Sequence, residues 1–98
     1  MSILVISYRL TTDAGRDAEL RKALAALARE LGTRDGCLGT ALWCHEGAYI
    51  YRFEETWQSD DAHRASMDPA LKALLKAVMN GVTAPIASER LTPVAPAP

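Results

Sequence analysis

Residues 48–57, AYIYRFEETW, alternate strictly. Tyr49, Tyr51, Phe53, Glu55 and Trp57 share one parity, while Ile50, Arg52, Glu54 and Thr56 share the other. A period of two belongs to a β-strand, whose successive side chains point to opposite faces. One face of this strand is aromatic and one is mixed polar, so it predicts a strand with a packed side and an open side. Upstream, His45-Glu46-Gly47 makes a short hairpin connection, and Gly47 can take the positive φ a tight turn needs. The strand before it is residues 37–44 (CLGTALWC), entered through the turn signal Arg34-Asp35-Gly36.

Further out, the period changes. Leu20, Leu24, Leu27 and Leu31 recur at steps of four, three and four and form one stripe of a helix over residues 16–31. Asp17 and Glu19 occupy its first turn, where the helix dipole favours acids, and Gly32 stands where a left-handed cap would end it. Residues 3–10 (ILVISYRL) are β-branched and aromatic with apolar side chains on both parities, which predicts a first strand buried on both sides. After Trp57, Ser59 caps a short helix. Asp68-Pro69 opens a second, with Leu71, Leu74, Leu75 and Val78 as its stripe and Gly81 at its end. Residues 85–91 (PIASERL) form a final strand, with proline tolerated at its start. The order is β-α-β-β-α-β, the split βαβ arrangement of ferredoxin-like α+β domains: a four-stranded antiparallel sheet with helices on one face. The expected domain spans residues 1–91, and the Pro/Ala-rich residues 92–98 form an extended tail. The other sheet face, partly apolar, would be covered by a second copy stacking sheet on sheet as a homodimer.

Length and composition narrow the function classes. The 98 residues fit one domain, small enough to gain from covering a face with a partner. A net charge of -1 leaves no basic surface for nucleic acid or for an anionic membrane. No stretch is apolar for the roughly 18 residues a membrane helix needs, and the N-terminus reads as strand rather than as a secretion signal. Cys37 and Cys44, an odd number of positions apart in one strand, would lie on opposite faces. They are expected to be free thiols of a cytoplasmic protein. No phosphate loop, nucleophile elbow or metal-ligand spacing is present, and no metal is expected.

The segment Glu55-Thr56-Trp57-Gln58-Ser59 followed by Asp61-Ala62-His63 resembles the antibiotic biosynthesis monooxygenase family, whose members close their third strand and open a helix with such a run. Asp35-Gly36-Cys37-Leu38-Gly39 is similar to the family's turn into strand 2, and Tyr8-Arg9-Leu10 with Gly15 to its first strand and helix entry. The resemblance spans residues 3–91. It implies a dimeric α/β barrel with a pocket between sheet and helices in each protomer. Among relatives it implies oxygenases that oxidise aromatic polyketides or quinols without a cofactor, haem-degrading enzymes, and proteins with no known reaction. The chain departs from the pattern at Ser66 and Ala70, where many relatives carry histidines. It also departs at Met67 and Tyr8, where the haem-degrading relatives carry an axial histidine and an asparagine, so haem chemistry is not expected.

Beside that resemblance, each candidate residue keeps two readings. His63 is either the base that deprotonates a phenol or quinol, its ordinary pKa being suited to that work, or a solvated helix residue among Asp60, Asp61 and Arg64. Trp57 either donates its indole N–H to a substrate carbonyl or is a core aromatic with that N–H satisfied internally. Tyr49, Tyr51 and Phe53 line an apolar cavity for a flat aromatic ligand or fill the core, with Ser66 on the neighbouring helix. Glu55 pairs with Arg9 or Arg90 or, unpaired, has a raised pKa and becomes the alternative base. The expected activity is a cofactor-independent monooxygenase acting on an electron-rich aromatic or quinol with His63 and Trp57 as catalytic groups; the alternative is a non-catalytic small-ligand-binding dimer of the same fold.

Overall fold

The computed structural model describes residues 2–94, so four residues of the expected tail, 95–98, lie outside it. Its elements are β1 (Leu4–Thr11), α1 (Asp17–Leu31), β2 (Cys37–Cys44), β3 (Ile50–Trp57), α2 (Asp60–Ala65), α3 (Pro69–Asn80) and β4 (Ala87–Leu91). The four strands form one sheet in the order β2-β3-β1-β4, every neighbouring pair antiparallel. This is the α+β ferredoxin-like arrangement the strand and helix periods predict.

The core lies between the helices and one sheet face. Leu4, Ile6 and Leu10 of β1, and Tyr51, Phe53 and Trp57 of β3, meet the buried α1 stripe Leu20, Leu24, Leu27 and Leu31, with Leu71 and Val78 from α3. Each leucine of that stripe adds about 1.5–3 kcal/mol by leaving water. Both later helices start as their sequences dictate: Ser59 accepts from the Ala62 N–H, and Asp68 from the Leu71 N–H. A buried hydrogen bond from the Thr12 hydroxyl to the Gly81 carbonyl, 2.6 Å, fixes the end of α3 beside β1. A Cβ built on Gly81 would stand 3.0 Å from the Leu20 Cα, so the close approach of α3 to α1 depends on glycine there.

Several expectations need correction. Helix α1 does not end in a left-handed Gly32, whose φ is -62°. The chain continues right-handed through Thr33 and Arg34, and the left-handed residue is Gly36, φ 82°. β3 begins at Ile50, not Ala48, and β4 at Ala87, not Pro85. The register of β2 shifts between Cys37 and Gly39, so Cys37 pairs with Trp57 and Cys44 with Tyr51, two residues of one parity. This bulge turns both cysteines to the helix-facing side rather than to opposite faces; both are free thiols.

Candidate functional site

The inner face of the sheet has a closed end and an open end. At the closed end Trp57 is fully buried. Its indole Nε1 donates to the Glu55 carboxylate at 2.9 Å. His63, on α2, stands edge-on to the Trp57 ring with centroids 5.4 Å apart, its Nδ1 buried and without a hydrogen-bond partner among the described residues. Burial lowers the His63 pKa, as does the nearby Arg90. Ser66 caps α2 and turns its hydroxyl to the His63 carbonyl at 2.6 Å.

Glu55 is 3% exposed. No ion pair among the described residues involves it, although sequence reasoning expected Arg9 or Arg90. Arg9 lies on the outer face, opposite Arg52 in the β1–β3 register. Arg90 shares the inner face but is engaged by Asp60, which also holds Arg64. The Glu55 carboxylate is instead bonded by a neutral donor, the Trp57 indole, and faced by the Tyr8 hydroxyl. Burial raises its pKa, while the hydrogen bond from Trp57 and then the facing Tyr8 hydroxyl pull the other way.

At the open end, a hollow of about 510 Å³ separates the sheet from the helices. Tyr8 and Leu10 of β1, Phe53 of β3, Leu24 and Leu27 of α1, and Leu75, Val78 and Met79 of α3 form most of its wall. The rest comes from Val82, Ala84, Pro85 and Ile86 in the connection to β4, and from Ser88. Among the described residues, Tyr8 and Ser88 are the only polar side chains in the wall, so the lining is apolar with few placed polar groups. The Tyr8 ring stacks on Phe53 at 6.5 Å, and its hydroxyl faces Glu55. Burial and the adjacent carboxylate push that phenol pKa well up.

The residues singled out from sequence thus separate. Phe53 lines the hollow; Glu55 and Trp57 lie behind its Tyr8 wall. Tyr51 is buried, with its hydroxyl donating to Asp17 on α1 and its pKa raised to about 12, first by burial. Tyr49 falls before β3 and is 48% exposed, beside a second, shallower hollow at the β2–β3 turn. His63 and Ser66 do not line the larger hollow. Tyr8 shares the parity of the core residues Leu4, Ile6 and Leu10, which is the sequence signal that places it inward.

The profile of the family described as antibiotic biosynthesis monooxygenase matches residues 1–74. No curated protein is detectably similar in sequence. Among solved structures, Rv0793 from Mycobacterium tuberculosis superposes with a TM-score of 0.84 at 23% identity, over 99% of this chain and 100% of that one. SnoaB, a cofactor-independent oxygenase from Streptomyces nogalater, superposes with a TM-score of 0.78 at 20% identity, over 100% of this chain and 97% of its own. A conserved protein from Methanosarcina mazei reaches 0.84 at 12% identity, over 93% and 92%. At these identities the likeness is one of fold.

Proposed function

Since this chain belongs to the antibiotic biosynthesis monooxygenase family, we propose that it is a cofactor-independent monooxygenase that oxidises an electron-rich aromatic or quinol with molecular oxygen. The observation that carries the reading is the hollow: apolar, of a volume that takes a two- or three-ring ligand, with one phenol in its wall. Such chemistry asks little of a protein. Once deprotonated in a dry site, an electron-rich ring reacts with oxygen itself. With an anthrone, one oxygen atom becomes the new carbonyl, and the other leaves as water with the two hydrogens of the oxidised carbon. The protein binds the ring, excludes water and accepts the proton. SnoaB, of the same fold, supports the reading by analogy.

The test is oxygen consumption against anthrones, hydroquinones and catechols with no added cofactor. Uptake above the uncatalysed rate is expected, and its absence across the panel would leave the binding-module reading. That alternative is favoured by Ser66 and Ala70, which leave α2 and the start of α3 without the histidines many relatives carry.

We propose also that two copies pair through the outer sheet face. Trp43 is 59% exposed there and Leu91 42%, beside the half-buried Val5 and Ile50. Light scattering at micromolar concentration should give twice the chain mass, and Trp43→Lys should lower it to one chain.

A further inference from the structure

Resting on the reading that the hollow takes an aromatic ligand, we infer that Tyr8 and Glu55 form a proton relay, in which Tyr8 is the catalytic residue that meets a ligand hydroxyl and Glu55 receives the proton behind it.

Four observations converge. Tyr8 contributes the only phenol to an otherwise almost wholly apolar wall, with Ser88 its only polar companion. The β1–β3 register pairs Tyr8 with Phe53 and Ile6 with Glu55, so Tyr8 and Glu55 are diagonal neighbours on one face, within reach of long side chains. The carboxylate is buried and has no ion pair among the described residues, whereas buried carboxylates in structural roles are paired. Finally, the Trp57 N–H pins that carboxylate at 2.9 Å and cannot itself accept a proton. A buried acid bonded by one neutral donor and faced by a second hydroxyl that borders a ligand-sized hollow is arranged as an acceptor rather than as a strut. His63, by contrast, touches the far partner of the carboxylate, Trp57, and does not border the hollow.

The step balances. The ligand O–H bond breaks and its proton joins the Tyr8 oxygen as the Tyr8 O–H bond breaks and its proton joins Glu55. The products are a ligand oxyanion, a neutral Tyr8 and a neutral Glu55. No oxidant enters this step; molecular oxygen acts afterwards on the anion. Among the described residues, the titratable and charged groups near Glu55 are Tyr8 from β1, Cys37 from β2, whose partner across the strands is Trp57, Arg90 from β4, turned to Asp60, and His63 behind Trp57.

The decisive experiment needs no turnover. 2-Naphthol is a photoacid: its excited neutral form gives up a proton only to an acceptor within hydrogen-bond reach, and the naphtholate emits at longer wavelength. Bound to the wild-type protein under nitrogen, it should emit as naphtholate. Tyr8→Phe, which keeps the ring on Phe53, and Glu55→Gln, which keeps an acceptor for Trp57, should each lower the naphtholate-to-naphthol emission ratio at least about tenfold. 2-Methoxynaphthalene, which has no proton to give, should bind all three proteins alike. In oxygen uptake, Tyr8→Phe should lower kcat by about 100-fold, the usual scale for losing general acid–base help. A ratio unchanged in either variant, or no binding of 2-naphthol by the wild type, overturns the relay. Naphtholate emission without oxygen uptake keeps the relay and ends the oxygenase reading; uptake with an unchanged ratio does the reverse.

Discussion

Where β1 begins and β3 ends, Trp57 lies without solvent exposure under α2, edge-on to His63 and bonded to Glu55. Four pairs further along the same strands, at Tyr8 and Phe53, the same sheet face opens into a hollow of about 510 Å³. Both regions are built from an inward run of one parity, and both read in sequence as core. What separates them is the cover. The closed end has a short helix seated directly on β3 with Ala62 and His63 against the sheet. The open end is roofed by α3 and a connection of small or rigid residues, Val82, Ala84 and Pro85, opposite the small Ser88 of β4. A packed core and a hollow here differ by the size of the side chains that come from the other layer, not by the strand that faces them.

The comparison can be broken at its closed end. Trp57→Ala should cost about 3–5 kcal/mol in denaturant unfolding, since it removes a fully buried ring and leaves the Glu55 carboxylate without its indole donor. A loss under about 1 kcal/mol would mean that this end is not closed. Next comes Gly36, which enters β2 with φ 82° and whose Cβ, if present, would lie 2.5 Å from that of Ala62. Gly36→Ala should cost at least about 1–2 kcal/mol from the left-handed backbone alone, and a thermal melt measures it. Because α2 must shift, the His63–Trp57 contact should loosen with it, seen as a change in Trp57 fluorescence.

The Glu55 prediction concerns pH. Its folded pKa is raised by burial, so the folded state binds the proton more tightly than the unfolded chain. Its contribution therefore falls as pH rises from the ordinary carboxylate range through the raised value, and Glu55→Gln should remove that part of the slope. His63 acts with the opposite sign. Its folded pKa is lowered, so stability is lost as pH falls below the ordinary histidine value, and His63→Ala should flatten that limb. Urea midpoints across pH separate the two; a slope unchanged in both variants would sink the assignment. The smallest effect on stability belongs to the open end. Ala84→Phe should alter unfolding by no more than about 0.5 kcal/mol while filling the hollow, so that 2-methoxynaphthalene no longer binds. Undiminished binding would move the site elsewhere.

The strands and helices were legible because their periods are clean. The alternation over 50–57 and the leucine stripe of α1 each fix which side chains turn inward, and Ser59 and Asp68 mark two helix starts through cap chemistry that is local. The candidate site was legible only in part. The segment of 55–63 that carries the family resemblance does hold the carboxylate and the indole, but they stand behind the wall of the hollow. Its wall comes from residues that read simply as apolar stripes: Leu24, Leu27, Leu75 and Val78. The partner of Glu55 was also out of reach, because strand parity excludes Arg9 while Asp60, thirty positions away on α2, draws Arg90 aside. The bulge after Cys37 has the same character, since one extra residue reverses a parity that the sequence states without ambiguity.

By itself, then, the sequence determined the element order, the inward face of each long element and the family to which the chain belongs, since these rest on periodicity, local caps and short motifs that neighbouring residues specify among themselves. Tertiary structure alone decided where the inward face is filled and where it stays open, that a neutral indole rather than a cation holds the buried carboxylate, and that Tyr8 stands between the two ends. Those outcomes depend on the volumes and charges of residues brought together from β1, β4 and three helices, and sequence spacing carries no information about what stands opposite across a core.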